Sequence, residues 1–132
     1  MSKVAVALWD QDAWDEHNYF EPAEGHPLIR ADVKRTLHGD IEGTSEAILL
    51  CCRPDAKSAG YVANEHVAAT IAGRRGTFVL QHVAAMGGET PHRLGFIVPN
   101  SGTGELAGLR GSCTFGHDEQ GRNTLRLDYD LD

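Results

Sequence analysis

The stretch YVANEHVAATIAGRRGTFVLQHVAAM, residues 61–86, decides the architecture. Tyr61, Ala63, Val67 and Ala69 recur at alternate positions before a glycine-bounded turn, and Phe78, Leu80, Ala84 and Met86 do so after it. Period-two alternation marks a strand with one dry face, and two such runs about a tight turn make a β-hairpin. Glu65 and His82 interrupt the apolar side. With Gly73-Arg74 as a two-residue turn, glycine in first place suits a type II′ geometry. That register sets Glu65 opposite His82, Ala63 opposite Ala84, Tyr61 opposite Met86, Val67 opposite Leu80 and Ala69 opposite Phe78. Opposed residues have Cβ atoms roughly 4.5–5.5 Å apart, close enough for a carboxylate to accept from an imidazole. A four-residue loop would slide the pairing by two and keep the faces.

If Tyr61, Phe78, Leu80 and Met86 line an interior, Glu65 and His82 face it too. A buried charge without a partner is expensive, so each needs the other or a wet lumen. The pair is then either a buried link that fixes register or a general acid and base at a cavity wall. In the second case burial raises the Glu65 pKa and a charged neighbour opposes that rise.

The same alternation runs elsewhere. Ile29, Ala31, Val33 and Leu37 alternate with Arg30, Asp32, Lys34, Thr36 and His38; Leu125, Leu127, Tyr129 and Leu131 alternate with Arg126, Asp128 and Asp130. Residues 47–52 are apolar without alternation, as expected of a strand covered on both faces. Residues 94–98 form another strand, stopped by Pro99. Turn signals separate the runs, at His38-Gly39-Asp40, Arg53-Pro54-Asp55, Gly87-Gly88, Pro99-Asn100 and Asp118 to Gly121. No stretch patterns as an amphipathic helix. Roughly seven or eight short strands at this spacing predict an all-β barrel or sandwich. Residues 9–25 are the long irregular stretch, with Trp14, Tyr19 and Phe20 over an open end.

The chain of 132 residues is one domain by size. Nineteen acidic against twelve basic residues give a formal charge of -7, which repels a phosphate backbone or an anionic membrane. Nucleic acid and membranes are therefore not expected partners. Acidic residues follow the short N-terminal apolar run where a signal peptide needs a cleavage site, and no segment approaches the roughly 20 apolar residues of a membrane span; a cytoplasmic location is expected. Three cysteines, with Cys51 and Cys52 adjacent, do not suggest a disulfide framework.

The segment VPNSGTGELAGLRGS, residues 98–112, has the glycine spacing of a phosphate loop but no following Lys-Ser/Thr and no helix to open, so the nucleotide reading fails. Its glycines instead serve bends and close backbone approach. Ser101 and Ser112 read as turn formers rather than nucleophiles. Cys51 or Cys52 facing a lumen reads as a small hydrophobe. Seven histidines show no His-x-His pair and no His-Glu-x-x-His helix, so a metal site is not expected.

Three segments, GYVANEHVAATIAGRRGTFVLQH (60–82), IVPNSGTGELAGLRG (97–111) and TLRLDYDL (124–131), together resemble the bacterial domain-of-unknown-function family 3224, as do AWDEHNY and LHGDIEG. The family is grouped with allene oxide cyclase-like barrels, and GTGELAGLRG is similar to the glycine-rich strand connection of the plant allene oxide cyclases and dirigent proteins. The resemblance implies a single closed antiparallel barrel of about eight strands, with a lumen, and assembly into small homo-oligomers. None of those proteins' catalytic residues maps onto this chain. The reading is a barrel that binds a small, mostly apolar molecule in its lumen. Glu65 and His82 form the candidate catalytic pair, and Tyr61, Phe78, Leu80, Met86, Trp14 and Arg110 are the candidate ligand contacts. Arg110 could clamp a ligand carboxylate or form an ion pair at the barrel edge. The reaction, if there is one, is cofactor-free cyclisation or isomerisation; the alternative is a non-catalytic carrier or sensor.

Overall fold

The computed structural model describes residues 2–89 and 91–132. Eight antiparallel strands run in chain order: β1 Lys3–Phe20, β2 Leu28–Gly39, β3 Ile41–Cys52, β4 Ala59–Ile71, β5 Arg74–Met86, β6 His92–Ile97, β7 Arg110–His117 and β8 Asn123–Asp130. Each pairs with its neighbour, and β8 returns to β1 to close the ring of hydrogen bonds. The one helical segment among the described residues is a single 3-10 turn, Gly104–Leu106. The expected all-β barrel is what the chain forms.

The β4–β5 hairpin corrects the expected register. The turn is Ala72-Gly73, because Ile71 pairs with Arg74. Both turn residues have positive φ, 50° and 79°, which is the type I′ geometry whose twist matches the flanking strands. Glu65 therefore lies opposite Leu80, Ala63 opposite His82, Val67 opposite Phe78 and Tyr61 opposite Ala84. The error is two residues, a full side-chain period, so every residue keeps its expected face.

Two other expectations fail. Residues 9–20 are not irregular: β1 continues along β2 to Phe20. Register shifts between Gln11 and Ala13 and between Asn18 and Phe20 break the alternation that would have marked the strand. Only Lys3 to Leu8 pair with β8, so the far half of β1 leaves the barrel, and Tyr19 and Phe20 stand exposed. The apolar run 47–52 is covered on one face only. Ala47, Leu49 and Cys51 point inward, while Ile48 and Leu50 are 40% and 41% exposed.

The two ends of the barrel differ. At one end the 98–109 connection folds under the barrel. Thr103 accepts from and donates to the β5 backbone at Thr77 (3.1 and 2.8 Å), and the Ser101 hydroxyl accepts from the Val79 N–H at 3.0 Å. These contacts occupy the β5 edge before β6 takes over at Leu80. Leu106 and Leu109 are fully buried there beside Ile71, Phe78 and Leu125. Burying a leucine side chain contributes about 1.5–3 kcal/mol, so these two residues plug that end. The opposite end, ringed by the β3–β4, β5–β6 and β7–β8 connections, is the mouth.

An alanine at φ 50° is strained where asparagine is tolerated. Ala72→Asn is expected to stabilise the fold by up to about 1 kcal/mol, seen as a higher urea midpoint at unchanged slope. A lower midpoint would show that the turn is not left-handed at this position.

Candidate functional site

Along the inner wall, charged and polar side chains form one layer between two apolar clusters. On β2, Val33 belongs to the cluster near the mouth and Leu37 to the plugged one, with Arg35 between them. On β4 the order is Ala63, Glu65, Val67. Ser45 of β3 and His82 of β5 complete the layer, and Arg35, Ser45, Glu65 and His82 are 6%, 3%, 0% and 4% exposed.

Glu65 is its centre. Oε1 accepts from Arg35 Nη1 at 2.6 Å and from His82 Nε2 at 2.9 Å, and Oε2 accepts from the Ser45 hydroxyl at 2.6 Å. Glu65 and His82 are diagonal rather than direct cross-strand neighbours, a separation that long side chains span. Burial alone would raise the Glu65 pKa, but the His82 hydrogen bond, the Arg35 charge and the Ser45 hydroxyl together outweigh it and hold the carboxyl below its ordinary value. Glu65 is therefore an ionised hydrogen-bond acceptor and not the general acid that burial by itself would have made.

An ionised carboxylate only accepts, so His82 Nε2 must carry a proton. In the neutral ring Nδ1 is then an acceptor, and the Tyr61 hydroxyl lies 2.8 Å from it. The chain Tyr61 O–H to His82 to Glu65 is continuous, with Arg35 fixing its far end. Burial, opposed by the Arg35 charge, raises the Tyr61 pKa, so the hydroxyl rests protonated. The Arg35 guanidinium stacks over Trp9, 4.4 Å from the ring centroid, and lies 5.3 Å from that of Phe115. Its Nε has no hydrogen-bond partner among the described residues, and the aromatic faces are its nearest compensation.

The layer meets a cavity at the mouth. Strands β6 and β7 share one bridge, Phe96 with Ser112, and then part. The gap opens a cavity of about 490 Å³ lined by Tyr61, His82, Trp9, Phe115, Met86 and Arg93 among others. Gly95 keeps this wall thin: a Cβ there would lie 2.6 Å from Cys113 Sγ and 3.3 Å from His82 Cβ. A smaller cavity of about 130 Å³ lies on the other side of Tyr61 and Met86, bordered by Trp14, Cys51 and Arg53. A further depression, about 680 Å³, is bordered by residues of β1–β5, and no member of the polar layer lines it.

The candidate residues sort accordingly. Glu65, His82 and Tyr61 come together at the cavity. Met86 is on its rim, 59% exposed, and Trp14 borders the smaller cavity, its Nε1 donating to Glu16 Oε1 at 2.6 Å. Phe78 and Leu80 were expected to contact a ligand; both are fully buried in the plugged half, because the lumen is filled with side chains there. Arg110 takes the second of its two expected roles: it pairs with Asp132 Oδ1 at 3.3 Å on the barrel edge and does not line the mouth cavity. His66, on the outward face of β4, is exposed. Sequence reasoning missed Arg35 and Ser45, although Arg35 interrupts the apolar alternation of β2 just as Glu65 interrupts that of β4. Cys113 borders the cavity, but burial pushes its thiol up to about 12, so it rests as an un-ionised thiol. Among the described residues no group of three or more His, Cys, Asp or Glu is placed to hold a metal ion.

The class the fold defines is an all-β, eight-stranded antiparallel ring, here with one end plugged and a buried polar layer between its two apolar clusters. The family described as "Protein of unknown function (DUF3224)" matches residues 5–129, and the chain belongs to it. It is similar to a crystal structure of a protein of unknown function from that family, from Shewanella oneidensis MR-1. The two are 29% identical with a TM-score of 0.88, over 100% of this chain and 98% of that one. No curated protein matches.

Removing one partner of a buried ion pair costs about 3–5 kcal/mol, whereas replacing both by apolar groups costs far less. Glu65→Gln is expected to destabilise the barrel on that scale, and Arg35→Met with Glu65→Leu by less than the sum of the two single changes; additivity in urea unfolding would contradict the pairing. Unfolded glutamate titrates near about 4.3 and folded Glu65 lower, so its stabilisation is complete above the unfolded value and is lost as pH falls through the folded one. Acid unfolding of the Glu65→Gln variant is expected to lack that contribution.

Proposed function

We propose that this barrel takes a small, mostly apolar molecule into its mouth cavity and moves a proton on it through Tyr61 and His82, as in an isomerisation or ring closure that needs no cofactor. The observation that carries the reading is the hydrogen-bonded chain ending on a tyrosine that borders the cavity. The logic parallels that of a nucleophile, histidine and carboxylate triad, with a phenol in place of the serine. Tyr61 passes its proton to His82 Nδ1 as its oxygen takes one from the bound molecule. Glu65 stabilises the imidazolium so formed, and the reverse transfer returns a proton at a different atom. The raised Tyr61 pKa makes this a concerted transfer rather than the work of a standing phenolate. The likeness of GTGELAGLRG to the allene oxide cyclase connection supports ring closure as one outcome.

Positioned acid–base catalysis contributes about 10²–10⁴-fold. Incubating the protein with a small-molecule extract in D2O and following the mixture by mass spectrometry tests the reading. A compound is expected to isomerise or gain carbon-bound deuterium with the wild type, and to do so about 10²–10⁴-fold more slowly with Tyr61→Phe. A compound that binds and is recovered intact and unlabelled would identify a carrier instead.

A further inference from the structure

From the charge around the mouth cavity, and resting on the proposal that this cavity is the binding site, we infer that its ligand is a flat ring compound bearing one anionic group, held at Arg93. The protein carries a net charge of -7, yet none of the described residues lining the cavity is acidic, and Arg93 and His117 are among them. Glu65, which reaches the lining residue His82, is matched by Arg35. A lining without carboxylates that also carries Arg93 complements the charge of an anion.

Arg93 is poised for this role. Arg30, Arg53, Arg110, Arg122 and Arg126 each form an ion pair with a carboxylate. Arg93, like Arg74, donates Nη1 to a main-chain oxygen instead, here the Phe115 carbonyl at 3.2 Å; it has no carboxylate partner among the described residues, and it is the arginine that lines the cavity. That bond anchors the guanidinium across the β6–β7 gap and leaves Nε and Nη2 to meet a carboxylate as a fork.

Ring shape follows from the walls. His82 and Phe115 lie 4.4 Å apart between centroids and tilted by 34°, Tyr61 stands edge-on to His82 at 5.4 Å, and Trp9 stands edge-on to Phe115 at 6.3 Å. Packed on one another in this way, the rings leave no slot between them and present a stiff aromatic wall to the cavity, against which a planar guest lies flat, and about 490 Å³ suits a small one. The Arg93 charge also reaches Tyr61, where it favours the ionised form. A guest anchored at Arg93 would thus have its neighbouring atoms near the Tyr61 oxygen, with its own negative charge neutralised as a proton leaves.

Calorimetric titration of the full chain with benzoate, cinnamate and 2-naphthoate, each compared with its neutral amide, tests the inference. At least one acid is expected to bind tenfold or more tightly than its amide, and Arg93→Gln to bring the two within about twofold at an unchanged melting temperature. Amides that bind as well as the acids, or a preference for acids that survives Arg93→Gln, would overturn the anionic ligand while leaving the proton chain at Tyr61 standing. Failure of every ring compound, charged or neutral, to bind would overturn the inference and count against the cavity as a binding site.

Discussion

The buried carboxylate of Glu65 is the constraint from which the rest of the interior follows. A charge this deep must be neutralised and its oxygens must accept hydrogen bonds, and three strands supply the donors: Arg35 from β2, Ser45 from β3 and His82 from β5. Those demands fix the register of half the barrel and set the protonation of His82 at Nε2. Tyr61 then finds an acceptor at Nδ1, and of the hydrogen-bonded series Tyr61, His82, Glu65 and Arg35 it is Tyr61 and His82 that line the cavity. A hydrophobic layer in the same place would have held the barrel together as well, so stability alone does not account for it.

The fold serves this layer from both sides. Below it, Leu106 and Leu109 fill the end of the barrel and keep water from Glu65. Above it, the parting of β6 from β7 after one bridge leaves the wall open beside His82 and Tyr61. Gly95 permits the close passage of Cys113 and His82 at that gap. The closed end supplies the low dielectric that strengthens each hydrogen bond in the layer, and the open end supplies access.

Much of this was legible in the sequence, and for a definite reason. Inward positions repeat every second residue, so a charge on the apolar face is visible even when the register is wrong; Glu65 and His82 were found although Ala72, an alanine in a left-handed conformation, concealed the true turn. Arg35 obeyed the same rule on β2 and was passed over because its neighbours Lys34 and Thr36 made it look like part of the wet face. Ser45 carries too weak a signal to stand out. The far half of β1 was hidden by its bulges, and the outward Ile48 and Leu50 disguised a one-sided strand as a two-sided one. Phe78 and Leu80 were placed on the correct face, but pattern does not tell a filled stretch of barrel from a hollow one. The cavity itself comes from strands that separate, and strand pairing that stops has no mark in the periodicity.

The central claim is that Glu65 is ionised at neutral pH and that His82 therefore holds its proton on Nε2, facing inward, with Nδ1 turned to Tyr61. Nitrogen-15 NMR of the histidine side chains, with Tyr61→Phe and Glu65→Gln spectra for assignment, measures this directly. The account predicts a slowly exchanging Nε2 proton on His82 and an Nδ1 resonance that moves when the Tyr61 hydroxyl is removed. A bare Nε2 facing a protonated Glu65, or an Nδ1 indifferent to Tyr61, would contradict it.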